Sequence, residues 1–188
     1  MAHHTPKEFV ALNIAVLTVS DTRSLETDTS GQALVDGLQE AGHTLIDRKI
    51  CKDDVYQMRA IVSAWIADVS VQAIMITGGT GFTARDSTPE AIRPLFDKEV
   101  DGFGELFRQI SREQIGTSTV QSRAIAGMAN RTVMFCMPGS TNACKTAWSM
   151  IIREQLDART RPCNFVEHLI IKPASDNTGR IDCCGPRS

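Results

Sequence analysis

What most constrains the fold of this chain is a hydrophobic period that switches repeatedly between two values. Residues 12–19 form an unbroken apolar run with β-branched members, the pattern of a strand buried on both faces. It stops at the polar string Ser20-Asp21-Thr22-Arg23-Ser24. Ser30 then stands where a helix cap is expected, and Ala33, Leu34, Gly37, Leu38 and Ala41 recur at spacings of three and four until Gly42 closes the stripe. Residues 44–51 read as a second, more alternating strand, followed by the turn Lys52-Asp53-Asp54. Val55, Met58, Ile61, Val62, Trp65 and Ile66 mark a second amphipathic helix, and residues 73–77 a short strand that runs directly into Gly78-Gly79.

The same alternation continues. Pro89 sits at the start of a further helix, with Ser87 or Thr88 as its cap. Phe103, Leu106, Phe107 and Ile110 make another stripe. Residues 124–130 and 132–137 read as two strands joined at Asn130-Arg131, with Pro138-Gly139-Ser140 ending the second. A last helix is expected over residues 141–156, with Trp148, Ile151, Ile152 and Leu156 facing inward. Strands alternating with helices predict an α/β fold: one domain over residues 12–171, a mostly parallel sheet covered by helices on both faces. A flexible lead-in over residues 1–11 and a flexible tail over 172–188 flank it. A chain of 188 residues suits one such domain.

Composition removes several function classes. The formal net charge is -2 and no Lys/Arg-rich run is present, so no field draws in nucleic acid or a membrane surface. No apolar run approaches the roughly 20 residues that span a bilayer. The first eight residues are polar and mixed, unlike a secretory signal, which predicts a cytoplasmic protein with reduced thiols. Of the six cysteines, Cys51 and Cys136 sit at the ends of apolar runs, and no C-x-x-C pair exists; the vicinal Cys183-Cys184 reads as two exposed thiols of the tail. His3, His4, His43 and His168 lack zinc-ligand spacing.

In parallel-sheet folds ligands bind at the carboxyl ends of the strands. That rule gathers Ser20-Asp21, Asp53-Asp54, the loop Gly78-Gly79-Thr80-Gly81 and Pro138-Gly139-Ser140 onto one edge. The glycine loop lets backbone approach a ligand closely, and its N–H groups, with the hydroxyls of Thr80 and Thr83, suit a phosphate. A plain strand-to-helix turn is the other reading. A Walker loop is excluded because no Lys follows the glycines. Gly79-Thr80-Gly81-Phe82-Thr83-Ala84 matches G-x-G-x-x-A, but after the third strand rather than the first, against a dinucleotide fold. Asp53 and Asp86 would face a bound phosphate if the loops converge, and Mg²⁺ is the cation that such a meeting of anions calls for. Helix capping is the competing account for Asp53, Asp54 and Asp86, as turn chemistry is for Ser20, Asp21 and Ser140. Glu105, Ser122 and Arg123 flank apolar stretches; Arg123 could meet a phosphate or form a surface salt bridge.

Thr77-Gly78-Gly79-Thr80-Gly81, Arg85-Asp86 and Thr88-Pro89-Glu90-Ala91 together resemble the signature of the MogA/MoaB family of molybdenum-cofactor assembly. So do Gly102-Phe103-Gly104-Glu105, Ser122-Arg123 and Pro138-Gly139-Ser140, in order over about residues 10–170. Residues 115–119, 121–124 and 156–163 resemble the B branch of that family. The resemblance implies a three-layer α/β/α, Rossmann-like, molybdopterin-binding fold that assembles as a homotrimer or homohexamer. It implies molybdopterin as ligand and its adenylylation by Mg²⁺-ATP, with ATP as substrate. By matching position Asp53 and Asp86 would hold Mg²⁺ and orient the reacting phosphates, Thr77 and Gly78 to Gly81 would bind phosphate, and Ser20, Asp21, Glu105, Ser122, Arg123, Pro138, Gly139 and Ser140 would line the ligand edge. Ser87 stands where the family commonly carries a β-branched residue. A non-catalytic molybdopterin carrier with the same pocket is the alternative.

Overall fold

A computed structural model describes residues 8–170. In chain order the elements are β1 (Asn13–Val19), α1 (Thr29–Glu40), β2 (Thr44–Cys51), α2 (Val55–Ala67), β3 (Ala73–Thr77), α3 (Thr88–Ile92), β4 (Lys98–Glu99), α4 (Asp101–Ile115), β5 (Ile125–Ala129), β6 (Thr132–Met137), α5 (Thr141–Ala147), α6 (Arg153–Gln155) and α7 (Val166–Leu169). The strands form one mixed sheet in the order β2-β1-β3-β6-β5-β4. The β2, β1, β3 and β6 strands run parallel, while β5 and β4 are antiparallel additions at one side. Asn130 and Arg131 turn the β5–β6 hairpin in left-handed conformation, with φ of 45° and 66°, as a tight two-residue hairpin requires.

The unbroken apolar runs follow from a sheet buried on both sides. Ile14 and Val16 of β1 enter a core with Leu34, Leu38, Phe135 and Trp148. Ala15, Leu17 and Val19 enter the opposite core with Met58, Val62 and Trp65. Period-two alternation therefore delivers the apolar residues of the strand to one layer or the other. Each fully buried Leu, Ile or Met contributes roughly 1.5–3 kcal/mol. The β2 strand alternates because it is the sheet edge, with Ile46 and Lys49 exposed.

Four expectations change. Asp28, not Ser30, caps α1: its carboxylate accepts from the Gly31 N–H at 2.8 Å, while the buried Ser30 hydroxyl donates to the Gly139 carbonyl at 2.7 Å. The last helix runs without a gap from Thr141 to Gln155, as expected, but its middle turn, Trp148–Ile152, is π-helical rather than α-helical. Two short elements, β4 and α7, escaped the pattern reading because neither is long enough to show a period. Residues 8–11, assigned to the lead-in, are partly docked: Phe9 lies 5.2 Å from the His43 ring and Val10 packs on the first core. The rest of that lead-in and the 172–188 tail, with Cys183-Cys184, lie outside the described residues. Among the described residues no helix is long and apolar enough to cross a membrane.

Because β2 and β3 lie on opposite sides of β1, the chain direction reverses at the carboxyl ends of β1 and β3. A cleft opens at such a switch point. Both the Ser20 loop and the Gly78 loop start there.

Candidate functional site

The glycine loop is fixed by contacts that no side chain would allow. Gly78 has φ +101°, its N–H donates to the Met137 carbonyl at 3.1 Å, and a Cβ there would collide with the Val19 carbonyl oxygen. Gly139 approaches from β6, where its Cβ would lie 3.1 Å from the Gly78 Cα. The exits of β1, β3 and β6 thus meet backbone to backbone. Gly79 has φ +62°, and a Cβ there would stand 2.6 Å from Asp53 Oδ2. A Cβ on Gly81 would stand 2.8 Å from Asp86 Oδ2.

Asp53 and Asp86 therefore flank the same four-residue loop. The Ser87 N–H and hydroxyl both donate to Asp53 Oδ1, at 3.1 and 2.6 Å. The Thr83 N–H and hydroxyl both donate to Asp86 Oδ2, at 2.9 and 2.5 Å. Burial pushes the Asp53 carboxyl up, against the Ser87 bonds, and the charges of Asp86 and Asp21 push it further up. Asp86 is held down, chiefly by the Thr83 hydroxyl, despite some burial. No Lys or Arg forms an ion pair with either carboxylate among the described residues.

The capping alternatives divide. Asp54 caps α2 through the Tyr56 and Gln57 N–H groups, which leaves Asp53 to the cleft. Asp86 precedes α3 but bonds back to Thr83. Ser87 occupies the cap position without capping and bonds Asp53 instead.

The other expected residues scatter around this centre. Thr77 is fully buried, and its hydroxyl faces Pro138 O at 3.1 Å and Cys144 Sγ at 3.0 Å. Thr80 is buried as well, while Ser20 accepts from the Thr22 and Arg23 N–H groups and Asp21 pairs with Arg85 at 2.7 Å. Ser140 caps α5 through the Ala143 N–H, and Pro138 and Gly139 carry the chain past Gly78. Glu105 is exposed on α4 and shares no hydrogen bond or ion pair with the glycine loop. Ser122 keeps a buried hydroxyl without a partner. Arg123 donates to the carbonyls of Thr80, Gly81 and Asp86 and pairs with Glu90.

Sequence reasoning missed Ser87 and Thr88 as site-builders and took them only as caps. Thr88 seals the loop base, its hydroxyl donating to Gly78 O at 2.8 Å and its N–H to Gly79 O at 2.9 Å. Their position between Asp86 and Pro89 was the available signal. It also missed a basic cavity of about 520 Å³ beside Ser20 and Asp21, lined by Arg23, Arg48, Lys49 and Lys52. Among the described residues no cluster of three or more His, Cys, Asp or Glu could hold a metal alone.

The family model described as a probable molybdopterin binding domain matches residues 15–158. The chain is similar to the molybdenum cofactor biosynthesis protein B of Escherichia coli K12, 62% identical over 162 residues, covering 86% of this chain and 95% of the relative. It is 46% identical over 152 residues to the protein of that name from Bacillus cereus, covering 80% and 88%. A crystal structure of a molybdenum cofactor biosynthesis protein B aligns with TM-score 0.76 at 45% identity, over 81% of this chain and 94% of that one. The tungsten cofactor synthesizing protein MoaB from Pyrococcus furiosus aligns with TM-score 0.68 at 37% identity, over 75% and 90%.

Proposed function

This chain belongs to the molybdenum cofactor biosynthesis family built on the probable molybdopterin binding domain, and from that premise we propose that it binds molybdopterin and adenylylates it. The observation that carries this reading is the placement of Asp53 and Asp86 on either side of the Gly78–Gly81 backbone, with no Lys or Arg in an ion pair with either among the described residues. Two carboxylates beside a glycine backbone, neither in an ion pair with Lys or Arg among the described residues, suit a divalent cation shared with substrate phosphates. Mg²⁺ fits, since it takes one or two carboxylates and completes its shell with water and phosphate oxygen. When bound, it would spread the negative charge that builds up on the phosphates.

In this reading an oxygen of the molybdopterin phosphate forms a bond to the α-phosphorus of ATP. The bond from that phosphorus to the β-bridging oxygen breaks, and pyrophosphate leaves with the electron pair. No side chain has to exchange a proton, so the chain's task is alignment. Gly79 and Gly81, which carry no Cβ, let a phosphate come close to the loop backbone. Asp53 and Asp86 hold their lone pairs toward the loop through Ser87 and Thr83. Arg23 and Lys52 of the basic cavity offer charge for the polyphosphate tail, while Arg48 is paired with Asp28. Ser20, Asp21, Pro138, Gly139 and Ser140 border the cleft. A trimeric or hexameric assembly belongs to the same reading, and sedimentation of the full chain tests it.

The deciding experiment incubates the protein with molybdopterin, Mg²⁺ and ATP and looks for adenylyl-molybdopterin and pyrophosphate. Asp86→Asn should keep the fold and lower turnover at least about a hundredfold, the scale of losing several kcal/mol of charge stabilisation. A wild type that binds molybdopterin tightly and forms no product is a carrier instead.

A further inference from the structure

Arg123 lies beside the proposed catalytic loop, and its guanidinium is almost fully engaged by protein. Its Nε–H donates to Thr80 O at 3.1 Å, and its second terminal nitrogen to Gly81 O at 2.6 Å and Asp86 O at 2.9 Å. The other terminal nitrogen pairs with Glu90 Oε1. Four of five N–H donors are thereby assigned, which leaves little for a phosphate. The ring of Phe82 lies 5.2 Å from the guanidinium carbon.

The three carbonyls are more than convenient acceptors. A trans peptide points its N–H opposite to its C=O. The peptide between Thr80 and Gly81 offers its oxygen to Arg123 and turns its N–H toward the Asp86 carboxylate, which it helps hold down. The peptide between Asp86 and Ser87 offers its oxygen to Arg123 and its N–H to Asp53 Oδ1 at 3.1 Å. One guanidinium thus grips the far ends of two peptides whose near ends face the two carboxylates. Between them Phe82, Thr83, Ala84 and Arg85 are exposed; the Thr83–Asp86 bonds are local to the turn, and the Arg85–Asp21 pair that ties it to another loop is a surface contact.

We infer that Arg123 is a positioning residue, which sets the spacing of Asp53 and Asp86 through the peptide units it grips rather than by touching phosphate. The inference rests on the functional reading of those two carboxylates. Lys cannot replace it, because one ammonium nitrogen cannot span carbonyls held by a planar fork.

The test compares Arg123→Lys, Arg123→Gln and Asp86→Asn in the full chain by amide hydrogen exchange and by Mn²⁺ and pyrophosphate titration. In both Arg123 variants the Gly81 and Ser87 amides should exchange at least about tenfold faster, the scale of losing hydrogen bonds to a charged group, while Leu17 and Ile76 stay protected. Mn²⁺ affinity should fall in both. A through-space charge effect has the opposite sign, since removing a cation in Arg123→Gln would tighten Mn²⁺. Unchanged exchange at Gly81 and Ser87, exchange raised equally in β1 and β3, or a variant losing only pyrophosphate affinity would overturn the inference. Mn²⁺ binding untouched by Asp86→Asn counts instead against the reading of the carboxylates, while the exchange rates still judge the clamp.

Discussion

Ser87 gives both its backbone N–H and its hydroxyl to a single oxygen of Asp53, at 3.1 and 2.6 Å. The two residues come from loops after different strands, so this pair is the stitch between them. It also opposes burial, which raises the Asp53 carboxyl. Ser87→Ala removes one of the two interactions that lower it. Its midpoint should therefore move further up, read by carboxyl-carbon NMR titration, and a midpoint that stays put would show that the hydroxyl does not act on Asp53.

Gly79 should not accept even a methyl group. Its φ of +62° is costly for any residue with a Cβ, and that Cβ would stand 2.6 Å from Asp53 Oδ2. Gly79→Ala should cost roughly 2–4 kcal/mol, the sum of a left-handed backbone penalty and local overpacking, in urea unfolding. It should also weaken Mn²⁺ binding more than Gly102→Ala, where a Cβ meets open space. Equal behaviour of the two variants would remove the close-approach argument.

Much of this arrangement was legible in the sequence, for reasons tied to particular residues. The strands β1, β3 and β6 announced themselves because both their faces are buried, and the glycines announced a close approach because each has a backbone or carboxylate where its Cβ would go. Position before α2 does not separate Asp53 from Asp54; the resemblance assigns the ligand role to Asp53, and the geometry has Asp54 taking the cap. Thr77 ends β3 as its strand pattern predicts, but the hydroxyl that the resemblance assigns to phosphate turns inward to Pro138 and Cys144. Arg123 was visible as a charge near the site. Its grip on three carbonyls 37 to 43 positions away is a tertiary fact with no local sequence signal.

Asp28 illustrates a residue whose weight the sequence hid. Its carboxylate is buried and accepts from the Thr18 hydroxyl at 2.7 Å, the Gly31 N–H at 2.8 Å and Arg48 at 3.0 Å, joining β1, α1 and β2 at the switch point. Asp28→Ala leaves Arg48 largely buried without its counter-charge and removes the helix cap. The expected loss is roughly 3–5 kcal/mol in denaturant unfolding. A loss under about 1 kcal/mol, the level of an exposed ion pair, would place this contact among the surface bridges.

His43 should make the fold sensitive to mild acid. Its Nδ1 accepts the Leu12 N–H at 3.2 Å, so that nitrogen carries no proton, and its Nε2 is buried with no partner. Phe9 and Trp148 pack against the ring. Burial lowers its proton affinity from the ordinary 6.5, and the nearby Asp157 charge only partly restores it. Arg159, paired with Asp157, tempers that charge. A folded-state midpoint below the unfolded one means that the unfolded chain binds more protons in the interval between them. Stability from this group is therefore complete above 6.5 and falls as the pH drops through that value toward the folded midpoint. Urea midpoints taken from about pH 7.5 to 5.5 should decline in the wild type. In His43→Gln they should start lower, because the Leu12 N–H loses a well-placed acceptor, but they should change less over the same range. Parallel curves for the two proteins would assign the acid sensitivity to other groups.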